Sequence, residues 1–270
     1  MPPAPKSTGA SAWVTRRRRN RAVYCYIYDE FTQDKRFEKD LALIENRLTD
    51  LGLAGKIVRM ALFRNVQEMV RDEIRRGTQN VVAVGNDETV HKVIDVVSGS
   101  NVTLGIIPLG GPNELAKLLG VPEGVAACDT LSARIVETID AGIVNGKRFL
   151  TSLSVANFRS ELTCDGAYRI TPNEPGTLEV RNLAGDRSKN ERVSDPTDGR
   201  LEAILTVGVK QGIFGRRRLC ESVLPLTNLA IRSEQPIAIV ADGEEMTGTR
   251  FDIGIETGVI RVISGRQRKF

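Results

Sequence analysis

The chain is poor in the residues from which most metal and nucleophile sites are built. It has one histidine, His91, and four cysteines (Cys25, Cys128, Cys164 and Cys220) with no Cys-x-x-Cys pair. That spacing offers no zinc ligand set, and cysteines so scattered read as reduced, mostly buried thiols. A Ser-His-Asp triad would have to use His91, and no Gly-x-Ser-x-Gly accompanies it. No run of about 18 apolar residues is present to cross a bilayer. The N-terminus lacks the apolar core of a secretion signal, so the cytoplasm is the expected location. Aromatic residues make up only 5 % of the chain. In the first 22 residues Trp13 stands alone beside Lys6, Arg16 to Arg19 and Arg21. With no aromatic interleaved among the arginines, base stacking has no support there and no nucleic-acid partner is expected.

What is present is ordinary for a globular protein: 270 residues, 41 % apolar and 27 % charged, with a net charge of +4. Residues 1–22 carry six of the 38 Lys and Arg residues and no acid, and Pro, Ser and Ala are common there. This segment is expected to be a disordered basic tail, either simply solvated or attracted to acidic lipid head groups as a peripheral membrane contact.

From residue 23 to about 140, strand and helix patterns alternate. "AVYCYIY" (22–28), "KIVRMALF" (56–63), "NVVAVG" (80–85) and "VTLGIIPLG" (102–110) read as strands. Phe37, Leu41, Ile44, Leu48 and Leu51 recur at helical spacing, with Gly52 to end the helix. Asn65 can cap a helix carrying Val66, Met69, Val70 and Ile74. Val90, Val93, Ile94 and Val97 line another, "NELAKLLG" begins a further one, and Leu131, Ile135, Val136 and Ile139 mark the last. Uninterrupted apolar strands between helices predict a parallel sheet covered on both faces, a Rossmann-like α/β domain.

Near residue 141 the pattern changes. Asn145-Gly146 in "AGIVNGKRFLTSLSV" is a hairpin signal. Strand-like runs follow at "GTLEVRNL", "RLEAILTVGV", "LAIRS", "PIAIVADGEEM", "FDIGIE" and "GVIRVIS". Residues 141–270 are therefore expected to form a mainly antiparallel, β-sandwich-like domain, with 184–200 as a mobile polar loop. An edge strand of this domain could pair with a second copy in a homodimer.

Ligands of open α/β sheets sit beyond the carboxyl ends of the strands. Two loops fall there: Gly85-Asn86-Asp87-Glu88-Thr89 and Pro108-Leu109-Gly110-Gly111-Pro112-Asn113-Glu114. Both start helices, whose free N–H groups favour anions.

These loops, with Asp198-Gly199-Arg200-Leu201 and Asp242-Gly243-Glu244, occur in the order found in the diacylglycerol kinase catalytic family, which the ordered chain resembles. That family shows GGDGT-x-N-E, then P-x-G-T-x-N-D-x-A, an Asp-Gly-x-Leu segment and a late Asp-Gly-Glu. It is a lipid kinase group akin in fold to the NAD kinases. The resemblance implies transfer of the γ-phosphoryl of ATP, with Mg²⁺, to a lipid hydroxyl. It implies that Asn86, Asp87, Glu88, Thr89, Gly110, Gly111 and Asn113 border the nucleotide. It implies that Asp198, with Asp195 and Arg200, holds magnesium, and that Glu244 is the general base. Each of these short turns also has a structural reading: Asp198-Gly199 and Asp242-Gly243 as ordinary turns, Asn113 as a helix cap, and His91 as a helix-packing residue.

The chain departs from the family at the phosphate side. Asn86 and Glu88 replace two glycines of GGDGT, His91 and Lys92 replace Asn and Glu, and Gly111 replaces Thr. The loop after the first strand, Asp29-Glu30-Phe31-Thr32, has two acids where the family has a glycine-rich turn, with Lys35 and Arg36 following as candidate substitute cations. The expected crevice keeps its frame but loses donors and gains negative charge. Two readings stay open: a lipid kinase, and a non-catalytic relative that binds a lipid, nucleotide or protein. A kinase for a soluble substrate such as NAD is a third.

Overall fold

The computed structural model describes residues 24–60, 65–185, 193–210 and 217–270. The expected tail 1–22, the end of the second strand pattern (61–63) and part of the polar loop (186–192) lie outside the described residues.

Four parallel strands form the first half: β1 (Tyr24–Tyr28), β2 (Lys56–Arg59), β3 (Asn80–Gly85) and β4 (Thr103–Pro108). Their order is β4-β3-β1-β2, and β1, β3 and β4 are buried at every position. Helices α1 (Glu38–Asp50), α2 (Val66–Arg75) and α3 (Asp87–Val97) make the crossovers. The expected cap forms: the Asn65 side chain accepts from the Glu68 N–H at 3.2 Å. After β4 come a short helix, α4 (Glu114–Leu118), and α5 (Ala127–Ala133). α5 lies so close to β4 that a Cβ on Gly105 would stand 2.6 Å from the Leu131 side chain.

The expected helix through Leu131, Ile135, Val136 and Ile139 is half right. α5 ends at Arg134, which is left-handed at φ 52°. Ile135–Val144 is strand β5. Its β-branched residues and its pairing with the C-terminal strand outweigh the coincidental helical spacing.

The second half is antiparallel, as the pattern predicts. Asn145 and Gly146, both at positive φ, join β5 to β6 (Lys147–Phe149). Then follow β7 (Ser152–Phe158), β8 (Glu161–Cys164), β9 (Tyr168–Ile170), β10 (Gly176–Arg181), β11 (Leu201–Lys210), β12 (Arg217–Leu226), β13 (Asn228–Ala241) and β14 (Glu244–Ser264). Pairs of runs that read separately in sequence are single bent strands, with the register shifting between Arg232 and Ile237 in β13 and between Glu256 and Ile260 in β14.

β14 joins the halves. It pairs with β13, then with β5, and its Arg261 and Val262 run parallel to Thr103 and Leu104 of β4. The result is one mixed sheet of 14 strands over two apolar clusters. One packs the parallel strands with Ile260, Val262 and Ile263. The other gathers Phe149, Phe158, Leu178, Leu229, Ile239 and Phe251. At about 1.5–3 kcal/mol per buried large side chain, these clusters hold the seam that carries the site.

Candidate functional site

The two glycine-bearing turns meet. A Cβ on Gly85 would stand 2.1 Å from Thr89 Oγ1, so only glycine lets the turn close so tightly. Asn86 and Thr89 then cap each other: Thr89 N–H donates to Asn86 Oδ1 at 3.2 Å and Asn86 N–H to Thr89 Oγ1 at 3.1 Å. Asp87 ties the first turn to the second. Its N–H donates to the Pro112 carbonyl at 3.0 Å. Its carboxylate accepts from Glu114 N–H at 2.8 Å and Leu115 N–H at 3.2 Å. Asn86 Nδ2 reaches the Gly111 carbonyl at 3.4 Å, and buried Asn113 donates to the Gly110 carbonyl at 2.7 Å. Asn86, Asp87, Thr89, Gly110, Gly111 and Asn113 are therefore neighbours. Burial pushes the Asp87 carboxyl above its ordinary pKa, against the two N–H groups it holds.

The residues of the β1 loop fill the space beside this junction. Asp29 is 4 % exposed. Its Oδ2 accepts from the Thr89 hydroxyl at 2.9 Å and lies 3.1 Å from Lys92 Nζ. Lys92 also holds Glu88 at 3.0 Å, with the Glu88 side chain 71 % exposed. Burial lowers the Lys92 pKa, but its bonds to Glu88 and Asp29 outweigh this and raise it. A Cβ on Gly110 would lie 2.9 Å from the ring of Phe31. Arg36 does not serve the turns: its guanidinium lies over the Phe37 ring at 4.7 Å and 3.7 Å from Asp34. Sequence reading saw Asp29 only as a departure and did not place it at Thr89. The i,i+4 spacing of Glu88 and Lys92 was the available signal for the cation.

The late Asp-Gly-Glu turn arrives from the other half through Asp242. This buried carboxylate accepts from the N–H groups of Leu150 (2.5 Å), Thr151 (2.9 Å) and Ser152 (3.1 Å) and from the Thr151 hydroxyl. It also lies 3.6 Å from His91 Nε2, on the α3 face one turn beyond Asp87. Glu244 stands two residues further on, with its side chain 63 % exposed and 3.5 Å from Lys147. The group that reaches α3 is Asp242.

Asp195, Asp198 and Arg200 lie elsewhere. Asp198 Oδ1 accepts from Arg200 N–H at 2.9 Å, and Asp195 from Thr197 N–H at 2.9 Å. Their loop is fixed by buried Asp140, which accepts from Gly199 N–H (2.9 Å) and Gly258 N–H (2.7 Å). The next carbonyl, that of Val259, accepts from Gly99 just past the end of α3. α3 has 11 residues, about 15 Å of helix, and Asp87 is at its other end. Burial raises the Asp198 pKa, with Asp195, Asp140 and Glu202 adding to the rise and the Arg200 N–H opposing it. Each carboxylate serves its own turn, and among the described residues no group of three or more His, Cys, Asp or Glu side chains is placed to hold a metal ion. The arrangement does not fit a magnesium site beside the phosphate turns.

Residues 24–144 match the family model described as diacylglycerol kinase catalytic domain. Among curated proteins, the diacylglycerol kinase of Bacillus subtilis is 27 % identical over 143 residues, which are 52 % of this chain and 47 % of that protein. A probable lipid kinase YegS-like protein of Pseudomonas aeruginosa is 31 % identical over 103 residues, 37 % of this chain and 34 % of that protein. The matched segments thus span a third to a half of these relatives. The crystal structure of a diacylglycerol kinase from Bacillus anthracis aligns with a TM-score of 0.72 at 17 % identity, covering 90 % of this chain and 97 % of that one. At that identity the likeness is one of fold: parallel strands first, antiparallel strands after.

Proposed function

From the premise that residues 24–144 belong to the diacylglycerol kinase catalytic domain family, we propose that this protein acts by binding a ligand rather than by transferring phosphate from ATP. One observation carries the reading. The donors a nucleotide phosphate would use are held by the protein's own carboxylates: Thr89 Oγ1 by Asp29, and the Glu114 and Leu115 N–H groups by Asp87. Glu88 adds a third acid, and Lys92 is the one cation bonded to this cluster among the described residues. An arriving polyphosphate meets net negative charge. Calorimetric titration with ATP, with and without Mg²⁺, tests the reading. Heat of binding at micromolar ATP that requires Mg²⁺ defeats it.

The second reading is a lipid kinase, favoured by the convergence of Asp87, His91 and Asp242 between the halves. In that reading ATP would supply the phosphoryl group, Glu244 would take the proton of the lipid hydroxyl, and Glu244→Gln would abolish turnover. Attraction to an acidic lipid surface by the arginines of residues 1–22 is compatible with either reading. It predicts weaker binding of acidic vesicles on their removal. Strand β12, at the end of the strand order, is one edge open to a homodimer, beside β6 and β9, which also pair on one side only.

A further inference from the structure

A cavity of about 580 Å³ opens at the end of the parallel sheet where the strands begin, within the size range of small-molecule sites. Its rim is the link from α2 to β3 on one side and the link from α3 to β4 on the other. Arg134 at the end of α5 and Arg261 on β14 close it. β3 and β4, six residues each, put about 20 Å of strand between this cavity and the phosphate turns. Both links are fixed. Gly77 N–H donates to the Ile74 carbonyl at 2.9 Å, Thr78 N–H to the Glu73 carbonyl at 3.1 Å, and Thr103 N–H to the Gln79 carbonyl at 2.9 Å. A rim held in this way has little freedom to lose when a ligand arrives.

Three features of the lining decide what it can hold. The first is charge. Arg134 Nη1 donates to the Tyr24 hydroxyl at 3.1 Å and Arg261 Nη1 to the Asn101 carbonyl at 3.2 Å, and neither arginine has an ion-pair partner among the described residues. No acid lines the cavity among the described residues. Acids of the flanking elements are already matched, Glu73 by Lys56 at 2.5 Å and Arg76 at 2.6 Å, and Glu137 by Arg268 at 3.0 Å. The second is unused hydrogen-bonding capacity. Thr78 and Thr103 are buried at the lining, and the side chains of Thr78, Gln79, Asn101 and Thr103 make no hydrogen bond among the described residues. Hydroxyls and carboxamides both give and accept hydrogen bonds, which suits a ligand that carries hydroxyl groups. The third is how little of the lining is apolar. Ile74 and Val102 are its large apolar side chains, and no aromatic residue belongs to it among the described residues. Such a wall gives an acyl chain little burial and a base nothing to stack on.

We propose that this cavity binds a small hydroxylated phosphate monoester of sugar-phosphate size, with the phosphate at Arg134 and Arg261 and the hydroxyl groups on Thr78, Gln79, Asn101 and Thr103. Two guanidinium forks match the oxygens of a dianionic phosphate, and the four polar side chains answer the rest of the molecule. The site lies at the opposite end of the strands from the phosphate turns and stands under either reading of those turns.

Calorimetric titration of the full chain with glucose 6-phosphate, glycerol 3-phosphate, inorganic phosphate and glucose, at one fixed ionic strength, tests the proposal. At least one of the two monoesters is expected to bind once per chain, at least tenfold more tightly than inorganic phosphate or glucose. Arg134 stands at φ 52°, a left-handed position that favours glycine, so Arg134→Gly removes the cation and should fold as well as wild type. Arg261→Gln removes the other charge at an exposed position of β14. Each variant should weaken the monoester at least tenfold at an unchanged melting temperature. Inorganic phosphate binding as tightly as both monoesters would reduce the site to surface charge and overturn the proposal. Wild-type affinity in both folded variants would place the monoester elsewhere and overturn it too, as would no binding of either monoester at millimolar concentration.

Discussion

Replacing Asp29 by alanine should open the phosphate turn to ATP. The Thr89 hydroxyl has one proton, and Asp29 Oδ2 at 2.9 Å is the nearer and charged one of its two acceptors, the other being Asn86 Oδ1 at 3.2 Å. A phosphate oxygen taking that bond must break a hydrogen bond to a charged acceptor, a net loss of about 1.5–3 kcal/mol. It would then sit about 5 Å from the carboxylate, where two unit charges repel by about 0.8 kcal/mol at a dielectric of about 80 and about 3 at about 20. Together these disfavour phosphate by about 2–6 kcal/mol. At about 1.4 kcal/mol per decade, Asp29→Ala should raise ATP affinity by about 30-fold or more. Lys92 keeps Glu88 at 3.0 Å, so the variant should fold, at a stability cost of about 1–3 kcal/mol for the lost buried partner. Glu88→Gly removes an exposed charge and should gain less than tenfold, an effect that fades in high salt. Calorimetry at fixed ionic strength measures both. An affinity for ATP within threefold of wild type in folded Asp29→Ala would refute the reasoning.

Asp242→Ala strands the N–H groups of Leu150, Thr151 and Ser152. Urea unfolding should show a loss of about 3–5 kcal/mol, and a loss below about 1 would contradict the role given to this carboxylate. Because the folded pKa of Asp87 lies above its ordinary 3.8, the native state holds this proton more tightly than the unfolded chain. Its ionised form is therefore a penalty at neutral pH, relieved as pH falls through the window just above 3.8. The stability of Asp87→Asn relative to wild type should accordingly decline from pH 7 to about pH 4, as urea midpoints would show, and a rising difference would reverse the sign. Burial pushes the Cys25 thiol up to about 12 and Cys128 to about 11 and also raises Cys164, whereas Cys220 is exposed. A thiol reagent should label one cysteine per native chain quickly, and rapid labelling of a second would contradict this burial.

The first half was legible because its strands are buried on both faces. "YCYIY", "NVVAVG" and "TLGIIP" have no polar alternation to confuse them with edge strands; Asn80 and Thr103, at the start of their strands, are themselves buried. The Asn65 cap and the Asn145-Gly146 hairpin were legible because their chemistry is local. Strand β12 escaped notice because it pairs only with β11 and tolerates Pro225 and exposed Leu219 at the edge of the sheet. The site was legible at the two turns that meet through Asp87. It was not legible where partners are distant in sequence. Nothing local says that Asp29 will reach Thr89, 60 residues on, or that Asp242 will answer the N–H groups after β6. The Asp198 motif could be matched by its letters, but its place at the far end of α3 depends on where Asp140 and Gly258 anchor the loop.

Transfer of labelled phosphate from ATP to diacylglycerol in mixed vesicles, with Mg²⁺ present and Glu244→Gln as control, probes the central claim most directly. A protein whose phosphate turns are closed by its own carboxylates should give no more labelled lipid than the control. Turnover that depends on Mg²⁺ and disappears in Glu244→Gln would contradict that claim and identify a working lipid kinase.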